Sequence, residues 1–164
     1  MTTNILFLST DNAARSIIAE GMLNHLASVK QCDVLAFSGG SSASGNIDPF
    51  ALEVLSNAGV EISAYHNKSW NRFTHPDAQP MRIAITVADR EIHKLAPHWP
   101  GEPIQVHWPY PELSGTFTNE AAKRAMFELT RQAMAYRISQ LLALPLATIG
   151  GPELKHALAA ITAS

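Results

Sequence analysis

The chain has 164 residues, 46% of them apolar and 16% charged, a balance that excludes a disordered segment and predicts one real hydrophobic core. The 12 Lys and Arg and 14 Asp and Glu leave a formal net charge of −2, which gives no general pull toward nucleic acid or an anionic membrane. No apolar run reaches the ~20 residues that span a bilayer, no basic-then-apolar leader opens the chain, and the single cysteine, Cys32, has no partner for an internal disulfide, so the expected compartment is the cytoplasm.

The run NILFLS, residues 4–9, reads as a strand buried on both faces. A short polar turn follows. Residues 14–29 then place Ile17, Ile18, Met22, Leu23 and Leu26 on one stripe, which predicts a helix. CDVLAFSGG, residues 32–40, is a second strand that ends in glycines, and the Gly/Ser-rich stretch 38–46 is a loop rather than a linker. Residues 49–60 form a helix, with Pro49 in its first turn and Gly59 as its stop. Segment 64–80 is irregular and is expected to fold over one edge of the site's mouth. MRIAITVAD (81–89) and PIQVHW (103–108) are further strands. Residues 119–144 read as one long amphipathic helix, with Met126, Leu129, Ala133 and Tyr136 as its core stripe and Ile138, Leu141 and Leu142 among its other apolar positions. GGPELKHALAAIT, residues 150–162, is a short terminal helix. Strands alternating with helices predict an α/β fold, with a parallel sheet carrying helices on both faces, in one domain over residues 1–164.

Ligands of open parallel sheets bind beyond the carboxyl ends of the strands. The first strand ends at Ser9 and the next helix starts near Ala14. The turn Thr10-Asp11-Asn12-Ala13-Ala14 therefore aims backbone N–H groups and a helix N-terminus at one spot, which suits an anion. Arg15 adds a planar fork of donors that matches a tetrahedral oxyanion, and Ser16 follows it. The plain alternative is a strand-to-helix turn with Arg15 in solvent.

Ser9, five residues, then Arg15 and Ser16 make the frame C-x5-R-S with serine in first place. Here the chain resembles the low-molecular-weight protein tyrosine phosphatases, and more closely the thioredoxin-coupled arsenate reductases. Their amino-terminal pattern is strand, CxGNxxRS, helix, AE. This chain has FLSTDNAARSIIAEGML, so Asn12, Arg15, Ser16, Ala19 and Glu20 match. AFSGGSSASGNIDPFALEVLSNAGVEIS, HNKSW, ITVADREIHKLAPHWPG and HWPYPE resemble later segments in the same order. The resemblance runs over about 4–144 and leaves 145–164 as a terminal extension that caps the domain or joins a dimer. It implies a four-stranded parallel sheet between helices. It implies a reaction in which the first loop residue attacks phosphorus or arsenic, loop N–H groups and Arg15 stabilise the oxyanion, and a carboxyl group, here Glu112, donates a proton. No cofactor is implied.

The departures matter as much. Ser9 replaces the attacking thiolate, Ala88 and Ala96 replace the two resolving cysteines, Asp11 replaces the loop glycine, and Glu112 replaces an aspartate. A helix terminus and an arginine keep a loop thiolate ionised at neutral pH. A serine hydroxyl needs a general base, and only a tertiary approach by His66, His98 or His107 would supply one. Without a cysteine pair there is no thiol relay to reduce arsenate. Asp11 sets a carboxylate beside the anion. The expected function is thus a phosphatase- or arsenate-reductase-like protein with an oxyanion-binding loop that lacks the usual thiol activity. The alternative is a non-catalytic pseudophosphatase that binds an oxyanion, a phosphorylated partner or another protein. A lesser alternative is an engineered Cys-to-Ser trap, disfavoured because both resolving positions and the loop glycine differ too. His98-Trp99 and His107-Trp108 match no metal spacing and are read as packing, no metal is expected, and the sequon Asn67-Lys68-Ser69 is idle in the cytoplasm.

Overall fold

The computed structural model describes residues 1–113, 115 and 117–164. Four parallel strands, β1 (Thr3–Ser9), β2 (Val34–Gly40), β3 (Ile83–Thr86) and β4 (Ile104–His107), form a sheet in the order β2-β1-β3-β4. β1 sits inside the sheet, and its side chains from Ile5 to Ser9 are fully buried, which is why the sequence there is an unbroken apolar run. The chain winds one way from β1 to β2 and the other way from β3 to β4. The strand order therefore reverses between β1 and β3, where open α/β sheets leave a crevice.

Alternation along the strands sorts the core into two clusters. Ile5 and Phe7 pair in register with Ile83 and Ile85 and face the helices α1 (Arg15–Lys30), α2 (Pro49–Asn57), α3 (Glu120–Leu142) and α4 (Gly151–Thr162). Leu6 and Leu8 share the other face with Ala84. That face is covered by Trp70, Phe73, Met81, Ile92 and Trp99 around the 3-10 helices Trp70–Phe73 and His93–Leu95. Trp70 and Trp99 meet edge to face, with centroids 5.7 Å apart. Trp99 and Trp108 are both buried, as packing residues should be.

α1 ends at Gln31 in the left-handed conformation, and Gly59 does the same beyond α2. α3 corrects the sequence reading. Its core row is Phe127, Thr130, Met134, Ile138 and Leu141, while Leu129 and Tyr136 are 60% and 62% exposed and Met126 and Ala133 also face outward. The helix carries two apolar rows one residue, or about 100°, apart, and the core takes the second. α4 docks on the body through Leu154, Leu158 and Ile161. Arg137 donates to the Thr162 carbonyl and the Trp108 indole to the Thr162 hydroxyl, which ties the end of α4 to α3 and to the residue after β4. Among the described residues no helix is long and apolar enough to cross a membrane.

Candidate anion-binding site

The loop Ser9–Ala14 leaves the carboxyl end of β1, and its carbonyls point outward. Those of Ser9, Thr10, Asp11 and Ala13 accept the N–H groups of Ser41, Ser42, Ser44 and Asp48 at 2.8–3.1 Å. Those of Asp11 and Asn12 also accept the Asn67 amide at 2.8 Å each. A chain whose successive carbonyls turn out turns its N–H groups in, which makes an anion nest. Asn12 closes the curve with φ of 52°, a left-handed conformation that asparagine tolerates. The flexible position is thus Asn12, where asparagine suffices. Gly40 lets the loop lie close against β2, because a Cβ there would sit 2.8 Å from the Thr10 carbonyl oxygen.

α1 begins at Arg15 with no side-chain cap, so its first N–H groups keep their capacity for an anion. Arg15 is only 2% exposed, which rules out the solvated alternative. Its Nη1 donates to the Tyr110 carbonyl at 3.1 Å and its Nη2 to Glu112 Oε2 at 3.0 Å. Asp89 Oδ1, just beyond β3, lies 3.6 Å from Nη1. The fold thus brings Arg15 and Glu112 together from 97 positions apart in the chain. Carboxylates also occupy the donors an oxyanion would use: Asp11 Oδ1 accepts the Ala13 N–H at 3.3 Å.

Ser9 is fully buried. Its Oγ accepts the Asn12 N–H at 3.1 Å and lies 2.7 Å from Ser16 Oγ. Ser16 Oγ accepts from Asn12 Nδ2 at 2.7 Å, and the second Asn12 amide proton goes to Ser38 at 3.0 Å. Ser38 donates to Glu20 Oε1 at 2.5 Å, and Lys68 Nζ closes the chain on Glu20 at 3.3 Å and Ser38 at 3.1 Å. Lys68 also donates its backbone N–H to Asn12 Oδ1 at 2.9 Å. Burial pushes the Glu20 carboxyl up, offset in part by the Lys68 charge, and burial pushes the Lys68 ammonium down.

Three histidines were the candidate bases for Ser9. His107 pairs in register with Thr86 and hydrogen-bonds its hydroxyl through Nδ1 at 2.7 Å. That row belongs to Leu8's face, opposite the α1 face that holds Ser9. His66 faces Arg72, with Nε2 2.6 Å from its Nη1. His98 is exposed beside the second 3-10 helix. Ala88 is buried behind β3, and Ala96 follows the 3-10 helix His93–Leu95. Cys32 precedes β2, at the end of the sheet opposite Ser9, since Ser9 pairs with Gly40 and Thr3 with Val34. Among the described residues no cluster of three His, Cys, Asp or Glu side chains is placed to hold a metal ion.

Sequence reasoning missed Asp89, Asn67 and Lys68. Asp89 stands next to Ala88 in a segment already singled out, and Asn67 and Lys68 lie in the HNKSW motif. That proximity was the available signal.

Residues 4–107 match the family model for low molecular weight phosphotyrosine protein phosphatase. No curated protein matches the chain. Among solved structures, an arsenate reductase in a phosphate-binding state superposes with a TM-score of 0.66 at 21% identity, over 87% of this chain and 98% of that one. A low molecular weight protein tyrosine phosphatase from T. tengcongensis gives 0.63 at 20% identity, over 86% and 98%. A thioredoxin-dependent arsenate reductase from Corynebacterium glutamicum gives 0.59 at 26% identity, over 85% of this chain and 60% of that longer one.

Proposed function

Because the chain belongs to the low molecular weight phosphotyrosine protein phosphatase family, we propose that its loop Ser9–Ser16 binds a phosphate- or arsenate-like oxyanion and that the protein works by holding this group, free or on a phosphorylated partner, without thiol chemistry. The observation that carries the reading is the outward turn of the loop carbonyls over a buried Arg15. Backbone N–H groups, an uncapped helix start and a buried guanidinium carried by one loop are the kinds of donor that a tetrahedral anion takes. A structurally similar arsenate reductase has been captured binding phosphate, an anion of the same class.

Ser9 contributes a hydroxyl inside this network rather than a nucleophile. It lies on the sheet face opposite His107, and its hydrogen bonds run to Ser16 and Asn12. Glu112 keeps the carboxyl of the proton-donor segment, but its contact with Arg15 makes it first a lid on the anion's place. With Ser9, Ala88 and Ala96 in the thiol positions, electrons from thioredoxin have no path to arsenate. The lone Cys32 is in keeping with a reducing, cytoplasmic setting.

Calorimetric titration with orthophosphate and arsenate, beside aryl-phosphate turnover and thioredoxin-coupled arsenate reduction, tests the proposal. Saturable anion binding with no arsenate reduction above background is expected. Arsenate-dependent oxidation of thioredoxin by the purified protein, or no binding of either anion, would overturn it.

A further inference from the structure

Behind the loop, between the outer edge of β2 and segment 64–79, lies a cavity of about 330 Å³. That is the lower end of the range for small-molecule sites, roughly 300–1,000 Å³. Phe37 of β2 and Phe73 line it, their rings edge to face with centroids 5.8 Å apart, and Ala64 and Ala78 extend the apolar wall.

The polar end is uneven in charge. Lys68 is compensated: its Nζ donates to Glu20, to Ser38 and to the His66 carbonyl, which uses its three N–H groups. Arg72 is not. Its Nη1 lies 2.6 Å from His66 Nε2, and His66 Nδ1 lies 3.3 Å from the Ala64 carbonyl oxygen. Among the described residues no carboxylate lies within ion-pair distance of Arg72, although its lining neighbour Glu20 is matched by Lys68. The cavity thus has an aromatic floor and one unmatched positive charge at its rim, with the Gln79 amide alongside.

We propose that this cavity is a second binding site, separate from the Ser9 loop, for a small organic monocarboxylate with an apolar, aryl-sized body. The carboxylate meets the fork of Arg72, whose planar donors suit its two oxygens. The body lies against Phe37 and Phe73. One unmatched charge selects a monoanion, since a second negative charge would face Glu20 without compensation.

The test is an amide chemical-shift titration of the full chain with phenylacetate, followed by NMR. Saturable shifts are expected at Phe37, Phe73 and Gln79, unaffected by added orthophosphate. Arg72→Ala is expected to weaken binding about tenfold, and the neutral isostere phenylacetamide to bind about tenfold more weakly than phenylacetate, each a loss of ~1.4 kcal/mol. Shifts confined to residues 10–16, displacement by orthophosphate, unchanged affinity in Arg72→Ala, or no saturation would each overturn the proposal. The expected shifts at Phe37, Phe73 and Gln79 and the loss in Arg72→Ala do not depend on whether the Ser9 loop binds an oxyanion.

Discussion

Replacing Ser9 by cysteine asks how much of a thiolate site survives around the missing sulfur. The Ser9 side chain sits 3.1 Å from the Asn12 N–H and 2.7 Å from the Ser16 hydroxyl, and Ser16 is free to donate because its oxygen already accepts from Asn12. In Ser9→Cys both groups point at the sulfur. Hydrogen bonds to a charged group contribute about 1.5–3 kcal/mol each. Two of them favour the thiolate by about 3–6 kcal/mol, and at ~1.36 kcal/mol per pH unit that is ~2–4 units. Full burial of the position opposes ionisation, so the lower end is the better expectation. The thiol of the variant is expected to titrate about 2 pH units below the ordinary ~8.5 and to be ionised at neutral pH. Its ultraviolet thiolate absorbance, followed against pH, measures this directly. Aryl-phosphate hydrolysis is expected to appear with it and to rise further in kcat/KM when Asp11→Asn is added. A thiol that titrates at or above its ordinary value, in a variant with unchanged circular dichroism, would refute the claim that the loop is organised around an anion.

Asp11→Asn in the parent chain keeps an acceptor for the Ala13 N–H while removing a charge beside the anion. A carboxylate beside the anion in a water-screened loop is worth about 1 kcal/mol, so orthophosphate should bind ~5-fold more tightly by calorimetry. Met134→Ala in the core row of α3 should cost about 2–5 kcal/mol in urea unfolding, whereas Leu129→Gln on the outward row should stay within ~0.5 kcal/mol. Equal costs would contradict the assignment of faces. Burial holds His107 below its ordinary value, against an opposing pull from Glu91. Below pH ~6.5 the unfolded chain then takes up a proton that the folded one resists, so stability should fall on acidification through that window. His107→Gln should flatten that part of a pH series of unfolding midpoints.

The strand, turn and helix that carry the loop were legible because their signals are local. An apolar run, a polar turn and a stripe at helical spacing lie within 27 consecutive positions, 4–30. The groups that hold the loop in shape were not legible, because they arrive from far along the chain. Asn67 reaches the Asp11 carbonyl across 56 positions, and the serine-rich stretch after β2 supplies backbone donors whose role leaves no side-chain signature. Asp11 stands where the resembled pattern has its loop glycine, yet the left-handed residue is Asn12, one step on. The outward face of α3 was misjudged because Met126, Leu129, Ala133 and Tyr136 are as apolar as the row beside them. Periodicity alone fixes the helix but not its rotation about its axis.

The hydroxyl pair Ser9–Ser16 also governs how the site fares in the presence of peroxide. A loop thiolate is the first group such oxidants convert, to sulfenic acid and then to forms that no longer release. This loop contains no sulfur, and the chain's one thiol lies at the opposite end of the sheet. Oxidants therefore leave Ser9, Asn12 and Arg15 chemically unaltered. Under the proposed function, occupancy of the loop by an anion follows the concentration and charge of the anions around it, insulated from the redox state of its surroundings.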